Sequence, residues 1–212
     1  DVLNLPPNSS IMDLYCGNGR HAIELAKQNF SITGVDATKS FLDIARQKAT
    51  EQKVNITLLQ CDMRKLSFVS EFDAVINMFA AFGYFTDREN AEVLQLICRS
   101  LRPNGLFLID LLNRDWMLRN NLNRYWRHPN GEYVLLYKIE LNQGIATMKR
   151  ELINQITGEK TKYEFVLRAY SLPEMTAILK QSGFSLQATF GDFDARPYEA
   201  NTPRMIILAK KN

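Results

Sequence analysis

A chain of 212 residues can bury a sizeable core and suits one domain, or one domain carrying an insertion. Its 46% hydrophobic and 23% charged residues are ordinary for a globular protein, and a net charge of +3 is too small to define a nucleic-acid or membrane surface. Three cysteines, Cys16, Cys61 and Cys98, lack any CxxC spacing, which argues against a disulfide framework or zinc site and for a reduced, cytoplasmic setting. No apolar run reaches transmembrane length and no signal peptide is visible. The chain opens at Asp1 rather than Met, so native residues upstream stay open and a missing signal carries no weight.

Taken in order, the sequence predicts strands alternating with helices. A short apolar run ending in Asp13 is the first strand, a turn carries Gly17 and Gly19, and a helix pattern begins at once. Ser31–Asp36 is a second strand closing on an acid, and Thr38 is placed to cap the next helix, with Phe41, Ala45 and Ala49 on one face. Asn55–Asp62 reads as the third strand and Phe72–Phe79 as the fourth. Asp87 is placed to cap a helix running to about Leu101. Arg102-Pro-Asn-Gly105 then turns the chain into a fifth strand, Leu106–Leu112. Such alternation means a parallel sheet covered on both faces.

After Asn113 the pattern changes. Residues 114–131 are rich in Arg, Asn, Trp and Tyr, and three runs then predict an antiparallel meander: Tyr133–Leu141, Ala146–Ile153 and Thr161–Ala169. Gln143-Gly144 and Thr157-Gly158 supply its turns. Ser171-Leu-Pro-Glu174 opens a capped helix that ends at Gly183, and two strands, Phe184–Phe190 and Arg204–Lys210, finish the chain. The expectation is a single domain over residues 1–212, with residues 114–170 inserted over the substrate site.

The glycine turn carries the chemistry. Two glycines let a ligand approach the backbone, and the following helix offers unpaired N–H groups to an anion. Gly17-x-Gly19-x-x-Ala22 with Asp36 satisfies the dinucleotide fingerprint and by itself allows NAD. Asp13, four residues before Gly17, and Asp62, closing the third strand, point elsewhere. Three acids at the C-terminal ends of three successive parallel strands line the edge where open α/β sheets bind ligands.

On these residues the chain resembles the class I S-adenosylmethionine-dependent methyltransferases. Asp13-Leu-Tyr-Cys-Gly-Asn-Gly19 is similar to their Asp-x-Gly-x-Gly-x-Gly motif, Gln60-Cys-Asp-Met63 to the segment that reads adenine, Phe72–Phe79 to the motif before the substrate pocket, and Leu101-Arg-Pro-Asn-Gly105 to their Leu-Lys-Pro-Gly-Gly turn. The resemblance implies a Rossmann-like α/β fold with a seven-stranded, mostly parallel sheet ordered 3-2-1-4-5-7-6 and flanked by helices, here with an antiparallel β insertion. It implies S-adenosylmethionine as cofactor, held by Asp13, Tyr15, Cys16, Gly17, Gly19, Asp36, Ala37, Asp62, Met63, Met78 and Phe79, with Asp36 on the ribose hydroxyls. It implies no metal.

Tyr15 departs from the motif by replacing its first glycine. Its ring either meets the sulfonium or ammonium of the cofactor or points into the core, and the sequence leaves both open. Cys16 is expected to offer backbone rather than thiol chemistry, because no basic partner is evident. Candidate catalytic groups are Tyr84, after the fourth strand, and His21, beside the glycine turn, although packing accounts for His21 equally simply. Asp110 and Asn113 are candidate acceptor contacts, and His128 reads as a solvated loop residue. Asn77-Met-Phe-Ala80 is not the Asn/Asp-Pro-Pro-Tyr motif of planar-nitrogen methylation. The expected activity is methyl transfer to an O or N atom of a small-molecule acceptor, with a homodimer possible through the meander. The alternatives are an RNA methyltransferase using the Arg- and Trp-rich segment, an NAD-binding oxidoreductase, and an inactive nucleoside-binding module.

Overall fold

The computed structural model describes residues 2–120 and 122–212. Its main sheet is built from β1 (Ser10–Leu14), β2 (Ser31–Asp36), β3 (Thr57–Gln60), β4 (Phe72–Asn77) and β5 (Leu101–Leu112), which lie parallel, and from a terminal hairpin. Helices α1 (Arg20–Lys27), α2 (Lys39–Glu51) and α3 (Asp87–Ser100) connect them. After β5 the chain forms a short helix α4 (Arg114–Arg119) and a separate antiparallel sheet in the order β6 (Arg124–Arg127), β7 (Tyr133–Asn142), β8 (Ile145–Asn154), β9 (Lys160–Arg168). Helix α5 (Leu172–Gln181) returns it to the main sheet, where β10 (Phe184–Phe190) and β11 (Arg204–Lys211) complete seven strands. From one edge the order is β3-β2-β1-β4-β5-β11-β10, with β11 antiparallel to both neighbours. Counting only strands of this sheet gives 3-2-1-4-5-7-6, as the resemblance implied.

Alternation along each strand sends side chains to two apolar layers. Met12, Leu14, Val35 and Val75 face one layer with Val93, Leu94 and Ile97 of α3 and Met175 and Leu179 of α5. Ile11, Ile32, Ala74 and Ile76 face the other with Ala22 of α1. With both faces covered, these strands have no solvated side and read as nearly continuous apolar runs. The chain leaves β1 toward β2 on one side and later crosses to β4 on the other. This reversal opens a crevice at the C-terminal ends of β1 and β4.

Several boundaries differ from expectation. Thr86, not Asp87, caps α3: its hydroxyl accepts from the Glu89 amide at 3.3 Å, and the Glu89 carboxylate reaches back to the Thr86 amide at 3.1 Å. Asp87 instead accepts the Tyr170 hydroxyl at 2.8 Å. Thr38 is the N-cap of α2, but without a side-chain capping bond. Strand β5 begins at Leu101, and residues 102–105 loop out between the pairs Phe72↔Leu101 and Ala74↔Leu106, with Asn104 at a φ of 65°. Strand β4 stops at Asn77, because Phe79 and Ala80 turn the chain with φ of 63° and 56°.

The polar stretch 114–131 hides α4 and β6. Asn113 caps α4 by accepting from the Asp115 amide at 3.0 Å. Strand β6 is exposed at every residue and stands only by pairing with β7. The turn at Gln143-Gly144 has φ of 47° and 78°, the two left-handed residues that a two-residue hairpin requires. His128 lies between β6 and β7, exposed and bonded through Nδ1 to Asn130 at 2.6 Å, as a solvated loop residue would be.

Candidate active site

The turn after β1 is pinned by two buried carboxylates. Asp36, at the end of β2, accepts from the Gly17 amide at 2.9 Å and the Thr38 amide at 2.8 Å. Asp13 accepts from the Ala22 amide, inside the first turn of α1, at 3.1 Å. The Tyr15 and Cys16 amides both donate to the Val35 carbonyl, so the turn is also stitched to β2. Burial, opposed by the Ala22 bond and reinforced by the charge of Asp36, raises the Asp13 carboxyl to about 7.

Glycine has a separate reason at each position. Gly17 has a φ of 54°, and a Cβ there would meet nothing within 4 Å, so the turn presents bare backbone to open space. At Gly19 a Cβ would lie 2.9 Å from that of Ala45, so glycine lets α1 pack close to α2. Cys16 turns its thiol inward toward Gly34, and burial pushes it up to about 12, well away from thiolate chemistry.

Tyr15 is not a core residue. It takes the left-handed backbone its glycine counterpart would adopt, at a φ of 67°, is 42% exposed, and stacks on Tyr84 with centroids 5.6 Å apart. Its ring borders two cavities. One, of about 220 Å³, is lined by Leu14, Val35, Asp36, Ala37, Asp62 and Met63 among others. The other, of about 700 Å³, includes Gly17, Asn18, His21, Met78 and Phe79. The structure therefore gathers every sequence-predicted cofactor residue around one crevice, except that Gly19 and the Asp13 carboxylate support it from beneath.

Asp62 is more committed than the sequence suggests. Arg64 binds it side-on, at 2.7 Å through Nη2, and this contact holds its carboxyl below the usual carboxylate range. Phe79 is 48% exposed between Arg20, 4.1 Å above its ring, and Phe193, 5.2 Å away. His21 packs 5.2 Å from the same ring, and burial together with the charge of Arg20 lowers its imidazole below the ordinary histidine range. Burial raises the Tyr84 phenol above its ordinary range, with the nearby Tyr15 hydroxyl adding to the shift, so Tyr84 is a hydroxyl donor and aromatic wall rather than a phenolate base.

Asp110 and Asn113 are not acceptor contacts. Asp110 is fully buried, receives two 2.6 Å bonds from Arg204, and accepts the Phe79 amide at 2.7 Å. Asn113 spends its amide on the Glu199 and Thr202 carbonyls while capping α4. Both instead build the floor under Phe79 and the inserted segment. The sequence missed Phe193 and Arg204, brought to the crevice from the terminal hairpin, because no local pattern announces an approach across the sheet.

A nucleoside cofactor fits this arrangement. An apolar slot bears carboxylates at its rim, and beside it the backbone cradle at Gly17 is one that a Cβ would begin to fill. A strand-order reversal, a glycine turn and acids at or just past the ends of three neighbouring parallel strands together give the arrangement of a class I S-adenosylmethionine-dependent methyltransferase, with S-adenosylmethionine as cofactor. The family model described as "Methyltransferase domain" matches residues 11–105. The Bacillus subtilis (strain 168) protein YqeM, which carries a methyltransferase name, is 26% identical over 99% of this chain and 87% of its own length. A glycine/sarcosine N-methyltransferase of Halorhodospira halochloris is 24% identical over 95% of this chain and 75% of its own. The fold is that of an S-adenosylmethionine-dependent methyltransferase from Clostridium acetobutylicum ATCC 824, with a TM-score of 0.84 at 18% identity, covering 97% of this chain and 85% of that one. NAD, which the glycine spacing alone allowed, is set aside.

Proposed function

We propose that the protein methylates an N or O atom of a small-molecule acceptor held between Tyr84 and the inserted sheet, the two sides of which come from residues 79–85 and 114–170. The observation that carries this reading is the aromatic continuity from the glycine turn to that sheet: Tyr15 stacks on Tyr84, and Tyr84 lies 6.3 Å from Phe165 of β9. The cofactor supplies an electrophilic methyl group on a sulfonium. The protein then has to orient the acceptor and exclude water, and needs little else.

Asp36 is assigned to the ribose hydroxyls, since its two backbone bonds leave lone pairs free. Ala37, Asp62 and Met63 are assigned to the adenine side, and Asp13, Tyr15, Gly17, Met78 and Phe79 to the methionyl side. Tyr84 orients the acceptor through its hydroxyl and ring. His21 remains a neutral imidazole against Phe79, able to hold a proton at a ring nitrogen if the acceptor arrives protonated. The relatives support amine acceptors by name, as in the glycine/sarcosine enzyme.

No helix among the described residues is long and apolar enough to cross a membrane, and all three cysteines are free. The free cysteines support a reducing, cytoplasmic setting. Labelled methyl transfer to a panel of small amines, hydroxylated metabolites and bulk tRNA tests the function. Label in an amine or hydroxyl compound supports it; label in tRNA alone would replace it with RNA methylation.

A further inference from the structure

Strand pairing in the inserted sheet sets Arg124, Tyr137, Arg150 and Tyr163 directly opposite one another across all four strands, on one face. The guanidinium of Arg150 lies 4.9 Å from the ring centres of both Tyr137 and Phe165. Phe165 is the ring that reaches Tyr84, so Arg150 stands one ring beyond the residue that faces the glycine turn. Its charge is felt at the Tyr84 hydroxyl, which it lowers against the effect of burial.

Arg150, like Arg20 over Phe79, differs from the arginines around the site that hold carboxylates. Arg64, Arg114, Arg168 and Arg204 each hold a carboxylate at 2.6–2.7 Å. Among the described residues no carboxylate pairs with Arg150, and none of its guanidinium N–H donors makes a hydrogen bond. Two aromatic rings restrict the plate while leaving its donors unspent, a preorganised receptor for a planar or tetrahedral oxyanion. A cavity of about 530 Å³ adjoins it, bordered by Arg124, Tyr137 and Tyr163 of the same face.

We propose that Arg150 docks an anionic group, carboxylate or phosphate, at the end of the acceptor remote from the atom that is methylated. The proposal rests on the methyl-transfer reading above. A ring- or sugar-sized body then spans Phe165 and Tyr84, and its far end meets the cofactor at Tyr15. The inserted sheet thereby selects anionic acceptors, with Arg150 as the specificity-determining residue.

The test is calorimetric titration of benzoate, phenyl phosphate and the neutral benzamide into protein saturated with S-adenosylhomocysteine. One anion should bind, tighter than benzamide by about tenfold or more. Benzoate as the tighter ligand assigns a carboxylate, and phenyl phosphate assigns a phosphate. Arg150→Met should weaken that anion at least about tenfold. Arg150→Lys should fall between, since it keeps charge without the planar fork. Lys180→Met, on the exposed face of α5, should change nothing. Unchanged affinity for S-adenosylhomocysteine in all three variants shows that they are folded. Failure of both anions to bind, benzamide matching them, or equal losses in Arg150→Met and Lys180→Met would overturn the proposal. Failure of S-adenosylhomocysteine itself to bind would instead sink the methyl-transfer reading.

Discussion

Tyr15 and Tyr84 lie face to face, their rings 5.6 Å apart and inclined by only 19°. One belongs to the glycine turn and the other to the loop after β4, so a single stacked pair joins the cofactor side of the crevice to the acceptor side. The pair also explains why a bulky residue is tolerated where a glycine would suit the backbone. A non-glycine residue in the left-handed region costs about 1 kcal/mol, and an aromatic pair returns a similar amount.

From this balance, Tyr15→Gly should leave thermal unfolding nearly unmoved while affinity for S-adenosylhomocysteine drops by about tenfold, because the wall between the two cavities is gone. Calorimetry and a melting curve on the same sample check both halves. A large loss of stability with intact affinity would show that Tyr15 is a folding residue.

Asp36→Ala removes the acceptor for two backbone amides and for the ribose hydroxyls. Hydrogen bonds to a charged group are each worth roughly 1.5–3 kcal/mol, so affinity should fall by roughly a hundredfold or more. Asp36→Asn should keep part of it. Unchanged binding in Asp36→Ala would mean that the ribose lies elsewhere.

Asp13 makes stability depend on pH with a definite sign. Its carboxyl is raised from 3.8 to about 7 in the fold, so between these values the native state holds a proton that the unfolded chain has lost. Its contribution is complete below about pH 4 and is lost as pH rises toward 7. Asp13→Asn should flatten this slope and raise the urea midpoint at pH 7.5 relative to wild type. A wild-type midpoint that climbs steadily from pH 5 to 7 and climbs equally in Asp13→Asn would contradict this assignment.

Gly83 shows where the inserted sheet grips the loop carrying Tyr84. Its φ is 101°, a Cβ would stand 2.5 Å from the Arg168 carbonyl, and its own carbonyl accepts the Arg168 amide at 2.7 Å. Gly83→Ala should destabilise by about 2 kcal/mol or more, adding overlap to backbone strain. Gly158→Ala, also at positive φ but with nothing within 4 Å, should cost only about 1 kcal/mol. Equal denaturant midpoints for the two variants would show that the loop yields freely.

Much of this molecule was legible before any coordinates. The parallel core reads directly because β1, β2 and β4 are buried on both faces and end in turn or acidic residues. The candidate cofactor residues read because they are local: Asp13 through Gly19 fall in seven consecutive positions, Asp36 ends β2 and Asp62 follows β3 by two residues. Three things stayed hidden. The guanidinium and carbonyl partners that occupy Asp110 and Asn113 come from residues 86 to 94 positions away, so their exhaustion was invisible. The side of the turn on which Tyr15 falls depended on its backbone angle. Arg150 acquired meaning only from strand register, which aligns it with Tyr137 and places Phe165 two pairs further on.

The central claim is that the crevice at the ends of β1 and β4 holds S-adenosylmethionine through the glycine turn and Asp36. Calorimetric titration with S-adenosylhomocysteine and, separately, with NAD tests it most directly. The account predicts one site of micromolar affinity, on the order of −8 kcal/mol, for S-adenosylhomocysteine, largely lost in Asp36→Ala, and no heat with NAD. Binding of NAD alone, or of S-adenosylhomocysteine equally well in Asp36→Ala, would contradict it.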